Sequence, residues 1–427
     1  MSRERSWGVA MVAVLILALV IRLAVAVHFD LPPKTDAADY DRYGVSIASG
    51  RGFPDTNLGA VRGATAFRPP LYPLVLAGVY EVSGTSSATT RWRDARIVEA
   101  LLGTVAVGLI GLIALRIFGR PEALAATAIA AVYPPLLLVG SSLVSETVFV
   151  PLVLAGVWLV LRYRDEQRLR WLLLAGVAGG LATLSRSNGF LIVLALGFGV
   201  WILRPRWSRR ALAAPATLLG IAALVVLPWT VRNAIELHAF VPVSTQTGLA
   251  LAGQYNDVSA ANGARWLPPN GVPAYRHFFE DPSLDEADLD SKLRDAAIDY
   301  AVDHPQHVFA AGFWNGLRLL NLDDPIPLEL QAAHDLGQPP GLARLSVYGF
   351  WILAVLALFG CAIGAARRLP AFIWLVLAAV IVSIMFIGGL TRYRIPADPI
   401  LILLAAPALV WALEAAARLR AQPGAPG

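Results

Sequence analysis

The chain has 427 residues, of which 57% are hydrophobic and 15% charged, and its mean hydropathy is +0.61. These values exclude a soluble globular protein, because several apolar runs are long enough to cross a bilayer. The formal net charge of +5 does not indicate nucleic-acid binding, since the arginines cluster in short loops between apolar runs, where the positive-inside rule accounts for them. We therefore predict a multi-pass membrane protein with no nucleic-acid partner.

The sequence contains no recognisable metal-binding pattern. The single cysteine, Cys361, lies inside an apolar run, which excludes an intrachain disulfide and a cysteine-based metal site. None of the six histidines forms an HExxH or similar cluster, so no metal-ligating residue is predicted. No cofactor is predicted with certainty, and a divalent metal stays an open alternative.

The first apolar run extends from Trp7 to about Phe29. It is longer than the roughly 7 to 15 residues of a signal-peptide core, so we predict an uncleaved first span. Arg22 lies within this run near its outer end. Two alternatives stand for its side chain, which either snorkels to the lipid headgroups or faces an acidic site in the following loop.

Ten apolar runs are predicted to be about ten spans. They lie near 7–28, 95–117, 121–140, 144–161, 171–185, 187–203, 211–230, 346–366, 371–388 and 397–416. Arg186 and Asn188 interrupt the fifth and sixth runs, so a single broken hairpin is the alternative there. With the N-terminus inside, the turns on the cytoplasmic side hold Arg116, Arg120, Arg162, Arg164, Arg168, Arg170, Arg204, Arg206, Arg209, Arg210, Arg367, Arg368, Arg418 and Arg420.

This topology divides the chain into six segments. They are a first span at 1–28, an outer loop at 29–94, a transmembrane bundle at 95–230, an outer soluble segment at 231–345, C-terminal spans at 346–420 and a disordered tail at 421–427. Every inner loop is short, so function is expected on the outer face. Residues 71–82 follow two prolines and are too short to cross, which predicts a helix along the interface. A soluble helix is predicted over 281–300, with Pro282 and Ser283 at its start.

The first outer loop contains the acidic segment 35–43. If this segment is helical, Asp36, Asp39, Tyr40 and Tyr43 fall at i, i+3, i+4 and i+7, so that two carboxylates and two phenols share one face. That face is a candidate reaction centre at the membrane edge. The alternative is that Asp36 only caps a short surface helix, with Asp39 adding favourable charge in its first turn.

Ionisable residues near the outer ends of spans are informative, because such groups at membrane depth are costly without a partner or a task. They are Glu146, Arg186, Arg232, Arg392 and Arg394. Each arginine taken singly is explained by snorkelling or by a local ion pair. Outside the membrane there is no supply of nucleotide sugar or ATP, so a group-transfer enzyme there needs a lipid-anchored donor. Arginines at headgroup level can hold the phosphate of such a donor.

Arg392 and Arg394 lie between the ninth and tenth predicted spans, where the positive-inside rule gives no reason for them. In an extended turn before Pro396, both side chains point the same way and suit a fork around one phosphate. The alternative is an ion pair with Asp398 or with an acid of the outer segment. Arg186 and Arg232 are the next candidates for binding the phosphate.

These features, in this order, resemble the GT-C superfamily of polyprenyl-phosphate-sugar-dependent glycosyltransferases, in particular the branch with protein O-mannosyltransferases and the lipid A aminoarabinose transferase. The residues that carry the resemblance are Asp36-Ala37-Ala38-Asp39-Tyr40, Arg68-Pro69-Pro70-Leu71-Tyr72-Pro73, Ser145-Glu146-Thr147, Leu184-Ser185-Arg186, Pro228-Trp229-Thr230-Val231-Arg232-Asn233 and Arg392-Tyr393-Arg394-Ile395-Pro396. The implied fold is an all-α integral membrane protein, a GT-C-like bundle of about ten spans. Interfacial helices are expected in its first outer loop, and a small outer domain between spans seven and eight.

The resemblance also implies an activity, an inverting transfer of a sugar from a polyprenyl-phosphate donor. The acceptor would be a glycan, a lipid or a protein on the outer face of a bacterial cytoplasmic membrane. Asp36 matches the first-loop catalytic aspartate and would act as general base, while Glu146 would orient acceptor or donor. The other residues assigned to orientation are Tyr40, Tyr43, Arg68 and Tyr72. Many relatives have Asp-Glu where this chain has Asp36-Ala37, which leaves the choice between Asp36 and Asp39 open.

Two other classes of protein compete with this interpretation. A transporter or flippase of a lipid-linked glycan is expected to show paired repeats or helices broken at mid-bilayer depth. Here the charges gather at one face, which favours catalysis. A non-catalytic assembly subunit would leave the acidic face at Asp36 without a purpose.

Overall fold

A computed structural model describes residues 2–29, 31–84, 86–203 and 208–421. Within these ranges the regular structure is helical, apart from one antiparallel bridge between Asp55 and Ala64. The first ten helices are α1 (Ser2–His28), α2 (Thr35–Ala48), α3 (Leu71–Ser83), α4 (Ala88–Ile117), α5 (Arg120–Val132), α6 (Pro134–Val139), α7 (Glu146–Glu166), α8 (Leu169–Ser185), α9 (Gly189–Trp201) and α10 (Arg209–Glu236). The remaining helices are α11 (Thr247–Gln254), α12 (Asp257–Ala261), α13 (Pro273–Glu280), α14 (Glu286–Asp303), α15 (Pro305–Leu319), α16 (Pro325–Leu336), α17 (Pro340–Ala362), α18 (Ala371–Met385) and α19 (Asp398–Ala421).

Six of the described helices are long and apolar enough to cross a membrane, namely α1, α4, α7, α10, α17 and α19. Helices α8, α9 and α18 are apolar but shorter. The chain is therefore a multi-pass membrane protein, and each of these nine helices overlaps a predicted span. The predicted all-helical fold is confirmed, while the total number of spans stays a prediction.

The predicted span at 121–140 is interrupted in the structure. Helix α5 ends at Val132, Tyr133 has an extended backbone, and α6 begins at Pro134. The reason is steric, because a proline disfavours the helical conformation in the residue that precedes it. One continuous helix was predicted here, and the structure replaces it with two shorter ones.

Arg22 lies beside this interruption. Its Nη1 donates to the carbonyl of Ala131 at 3.1 Å and its Nη2 to the carbonyl of Ala130 at 3.0 Å. These carbonyls belong to the last turn of α5, where no helical N–H is available to them and the helix dipole is negative. Arg22 is buried and bound to these carbonyls. Both alternatives for its side chain were therefore wrong, because it neither snorkels to the headgroups nor faces Asp36.

Helix α2 is held from behind by α3 and α4. Tyr80 of α3 donates to Oδ1 of the buried Asp41 at 2.9 Å, and Arg91 of α4 donates to both oxygens of that carboxylate, at 2.9 Å and 2.7 Å. Gly44 lets α2 and α3 approach closely, since a Cβ at this position would lie 2.8 Å from the Tyr80 ring. The opposite face of α2, which carries Asp36 and Asp39, therefore rests on a firmly bound support.

The outer segment has a small core of its own from α11, α13, α14 and α15, joined by Val61 of the first outer loop. The soluble helix expected over 281–300 is α14, and its N-cap is Asp285, whose side chain accepts from the backbone N–H of Asp288 at 2.8 Å. The interfacial helix expected over 71–82 is α3. Of the other predicted features, Arg204, Arg206 and the tail beyond Ala421 lie outside the described residues.

Candidate active site

Helix α2 begins at Thr35, so Asp36 falls in its first turn and the four predicted residues share one face. The N-cap residue is Lys34, which forms no side-chain cap. The Asp36 carboxylate binds two arginine side chains. The helix periodicity predicted from the sequence is thus present, and Asp36 has partners from distant parts of the chain.

Asp36 lies between two guanidinium groups. Arg68 Nη2 donates to its Oδ1 atom at 2.7 Å, and Arg392 Nη2 donates to its Oδ2 atom. Burial opposes ionisation of Asp36, but the charges of Arg68 and Arg392 outweigh it and hold the pKa of this carboxyl well below its usual range. The Asp36 side chain is 30% exposed, so it is an anion that a substrate can reach.

Asp39 shares Arg68 with Asp36. Arg68 Nε donates to Asp39 Oδ2 at 2.7 Å, while Arg42 Nη2 donates to the other oxygen at 3.1 Å. The Asp39 side chain is only 12% exposed. The guanidinium of Arg68 also stacks on the ring of Tyr40, 4.9 Å from its centroid. Arg68 therefore ties the two carboxylates to one side of the site.

The ring of Tyr40 packs against the ring of Tyr72 of α3. Their rings meet edge to face with centroids 4.9 Å apart. The Tyr72 hydroxyl donates in turn to Oε1 of Glu99, a buried residue of α4 that also accepts from Thr147 at 3.4 Å. Glu99 was not singled out in the sequence, although an acid inside an apolar run was a visible signal for it. Tyr40 and Tyr72 lie at the site, and Glu99 supports them.

A second ion pair lies on the other side of Arg392. Arg186, at the junction of α8 and α9, approaches Oε1 of the buried Glu146 at 2.6 Å. The guanidinium carbons of Arg186 and Arg392 lie 5.1 Å and 4.8 Å from the centroid of the Tyr393 ring. The Tyr393 hydroxyl accepts from Arg392 Nη2 at 3.0 Å. Glu146 and Arg186 thus belong to the same site as Asp36.

We call these residues the acid–arginine cluster. Its members are Asp36, Asp39, Arg68, Glu146, Arg186, Arg392 and Tyr393. They come from α2, the loop before α3, the start of α7, the α8–α9 junction and the turn before α19. Two arginines that can bind an anion, Arg186 and Arg392, contact the Tyr393 ring within it.

Arg394 does not join this cluster. Residues Thr391–Arg394 form a 3-10 helix instead of the expected extended turn, so Arg392 and Arg394 point to different partners. Arg394 is buried, donates from Nε to Asp398 Oδ1 at 3.0 Å, and also donates to the carbonyl of Leu319. The alternative ion pair with Asp398 is the one that the structure contains.

Arg232 and Tyr43 belong to a separate network. Arg232 Nη1 donates to the carbonyl of Thr65 at 2.8 Å, and the Tyr43 hydroxyl lies 2.9 Å from the Thr65 hydroxyl. Thr65 donates to Glu286, a buried residue of α14 that also accepts from Thr245 at 2.6 Å. This network joins the first outer loop to the outer segment, and no described contact links Arg232 to the acid–arginine cluster.

The carboxylates of the cluster do not suit a divalent cation. Asp36, Asp39 and Glu146 are each paired with at least one arginine, whose positive charge repels a metal ion. Over the described ranges, no group of three His, Cys, Asp or Glu side chains could hold a metal.

Comparison with solved structures shows the fold. The archaeal oligosaccharyltransferase AglB from Archaeoglobus fulgidus, in complex with an inhibitory peptide and a dolichol-phosphate, matches with a TM-score of 0.59 at 15% identity, over 98% of this chain and 52% of AglB. The chain has the GT-C fold. It spans about half the length of AglB. The predicted fold, a GT-C-like helical bundle, is thereby confirmed.

The other comparisons have lower TM-scores or cover less of this chain. A family model described as dolichyl-phosphate-mannose-protein mannosyltransferase matches residues 67–231. ArnT from Cupriavidus metallidurans, bound to undecaprenyl phosphate, matches with a TM-score of 0.43 at 17% identity, over 96% of this chain and 78% of ArnT. The Pmt1-Pmt2 protein O-mannosyltransferase complex of S. cerevisiae matches with a TM-score of 0.44 at 18% identity, over 53% of this chain and 34% of that one. No curated protein sequence matches.

Proposed function

We propose that this protein is an inverting glycosyltransferase that moves a sugar from a polyprenyl-phosphate donor to a glycan, lipid or protein acceptor. The transferred residue is a hexosyl or pentosyl group. We place the reaction on the outer face of a bacterial cytoplasmic membrane, as the loop charges predict. The family model over 67–231 and the dolichol-phosphate named with AglB support the lipid-phosphate class of donor.

One observation carries the proposal. Asp36, a partly exposed carboxylate, binds Arg68 through one oxygen and Arg392 through the other, and Arg392 contacts the same Tyr393 ring as Arg186, the partner of Glu146. A base and an anion site therefore lie next to each other. An inverting transfer needs both groups, a base that takes the acceptor proton and an anion site that stabilises the departing phosphate.

The donor phosphate would bind at Arg392 and Arg186. Arg392 forms its ion pair with Asp36 in the structure, so a phosphate that takes over the guanidinium also releases one oxygen of the Asp36 carboxylate. The release matters because a carboxylate with a strongly lowered pKa is a weak base. Donor binding would in this way prepare the base as well as position the sugar.

The transfer step involves the acceptor, the donor and these side chains. The acceptor hydroxyl or amide attacks the anomeric carbon, the bond from that carbon to the phosphate oxygen breaks, and the polyprenyl phosphate leaves with the electron pair. Asp36 takes the acceptor proton. Arg392 and Arg186 stabilise the charge that grows on the leaving phosphate, which is the role in which fixed donors contribute most to a rate.

The environments of the two aspartates favour Asp36 as the base. Both oxygens of Asp39 are bound to arginines from the same outer loop, Arg42 and Arg68, and its side chain is less exposed. Asp36 instead shares one oxygen with Arg392, from the far end of the chain. Asp39 would orient Arg68, which in turn holds Asp36, while Glu146 keeps Arg186 in place.

The experiment is an assay of purified protein in lipid nanodiscs with a panel of polyprenyl-phosphate sugars, following release of polyprenyl phosphate. We expect release with at least one sugar, and loss of release in Asp36→Asn. A matched control is Asp41→Asn, on the opposite face of α2, which should keep the same donor preference at any remaining activity. Binding of the donors without any release, in wild type and variant alike, would contradict the proposal and favour a transporter.

A further inference from the structure

Helix α15 of the outer segment has its aromatic side chains outside and its polar side chains inside. Phe309 and Phe313, four residues apart and thus on one face, are 78% and 60% exposed. His307, Asn315 and Arg318 of the same helix are buried. A helix on the surface of a soluble domain has the reverse arrangement.

The inward polar face of α15 is well satisfied. A ring nitrogen of His307 lies 2.9 Å from the carbonyl oxygen of Gln254, and Asn315 Nδ2 donates to the side-chain oxygen of Gln254 at 3.0 Å. Arg318 donates from Nε to Asp323 at 2.9 Å. The orientation of α15 is therefore fixed by specific partners, and its outward aromatic face is a property of the fold.

This helix lies on the end of a membrane helix. Asn315 Nδ2 donates to the carbonyl of Met385, the last residue of α18, at 3.1 Å. A Cβ at Gly312 would lie 2.8 Å from the ring of Phe386, so the α15 backbone approaches this ring very closely. The α18 side chains Leu375 and Val382 are exposed, as expected where a helix meets lipid. The outward face of α15 is thus at the depth where α18 ends.

Exposed apolar side chains also lie before and after α15 in the chain. Val302 of α14 is 72% exposed, and Leu320 and Leu322 after α15 are 49% and 61% exposed. Trp314 of α15 lines a cavity of about 310 Å³ together with charged and polar residues. Those residues are Asn262, Gly263, Arg265, Arg318 and Asp323. An apolar area with a tryptophan and charged groups at its border is typical of a segment at a membrane interface.

We infer that the outward face of α15, formed by Phe309 and Phe313 and followed by Leu320, is embedded among the acyl chains of the leaflet in which α18 ends. The occupant is lipid because the face adjoins the end of a membrane helix and contains no charged side chain. The outer segment then contributes an interfacial contact with lipid in addition to the membrane-spanning helices. The inference does not depend on the proposed glycosyl transfer.

The test uses single-cysteine variants of the full chain in nanodiscs, in a Cys361→Ala background, each labelled with an environment-sensitive fluorophore. Phe309→Cys and Phe313→Cys report on the aromatic face, and Asp295→Cys, on an exposed position of α14, is the matched control. The fluorophores are quenched separately by nitroxide-labelled phospholipids and by aqueous iodide. These positions are exposed, so the substitutions leave the core intact.

Strong quenching by nitroxide lipids at 309 and 313, with iodide quenching several-fold weaker than at 295, is the expected result. Iodide quenching as strong as at 295 would show that the face is in water and overturn the inference. Protection from both quenchers would show that a protein, such as a second copy of the chain, covers the face, and would overturn it as well.

Discussion

Arg394 donates from Nε to Oδ1 of Asp398 at 3.0 Å, and both side chains are buried. Tyr133 donates to the other oxygen of Asp398 at 2.8 Å. This ion pair anchors the 3-10 helix before α19. Arg392 lies in the same 3-10 helix, two residues before Arg394, and binds Asp36. One short turn therefore carries a structural arginine and an arginine of the candidate site.

The first prediction separates these two roles. Arg394→Ala leaves the charge of Asp398 buried and unpaired, so we expect a loss of stability of about 3–5 kcal/mol. Arg392→Ala, at a partly exposed position, is expected to weaken donor binding with a smaller loss of stability. The measurements are thermal unfolding in detergent and binding of a non-hydrolysable polyprenyl-phosphate-sugar analogue. An Arg394→Ala variant with unchanged unfolding temperature and weakened donor binding would return Arg394 to the phosphate site.

The second prediction concerns the base. Asp36→Asn keeps the shape of the side chain and removes its ability to take a proton, so turnover should fall by roughly 10²-fold or more with donor affinity largely kept. Asp39→Asn weakens the hold on Arg68 and should have a smaller effect on turnover. The measurement is kcat and donor binding for both variants. If Asp39→Asn is inactive and Asp36→Asn is active, the base is Asp39.

The third prediction is a pH dependence. Burial opposes ionisation of Asp36 in the free enzyme, but Arg68 and Arg392 lower its pKa below the usual value of about 4. The carboxylate therefore stays ionised at that pH and is protonated only in more acidic solution. The acid limb of kcat/KM that belongs to Asp36 should lie below pH of about 4. Once the donor phosphate has taken Arg392, the pKa rises, so the acid limb of kcat should lie at higher pH.

Arg392 variants provide the control for this pH dependence. Arg392→Ala should move the acid limb of kcat/KM to higher pH, because one of the two cations is lost while burial continues to oppose ionisation. Arg392→Lys keeps the charge without the planar fork and should leave the limb closer to its wild-type position. An acid limb at the same pH in wild type and Arg392→Ala would show that Arg392 does not act on the base.

The fourth prediction tests the orientation in the membrane. In a Cys361→Ala background, a cysteine at Asp165, in the arginine-rich last turn of α7, should be shielded from a membrane-impermeant thiol reagent in intact cells. A cysteine at Asn262, in the outer segment, should be labelled. Asp165 is the penultimate residue of α7, and Asn262 directly follows α12. Labelling at 165 and protection at 262 would invert the topology and place the acid–arginine cluster on the inner face.

The acidic face of α2 was predictable because it depends on local periodicity alone. Asp36, Asp39, Tyr40 and Tyr43 share a face in any α-helix, whatever surrounds it. The partners of these residues were not predictable in the same way. Asp36 is bound by Arg68 and Arg392, and the latter is 356 residues further along the chain. Without the fold, each arginine has several acids within reach, and spacing does not choose among them.

The sequence by itself determined that the chain crosses a membrane many times and where most of the crossings lie, because the length of an apolar run is set by the thickness of the bilayer. Only the tertiary structure decided that Arg392 binds Asp36 while Arg394 binds Asp398, and that α15 has its phenylalanines outside. These outcomes depend on which buried charges and carbonyls find partners after the helices pack. Such pairing is a long-range choice, since an ionised group inside the protein is tolerated only where the whole fold brings it a partner.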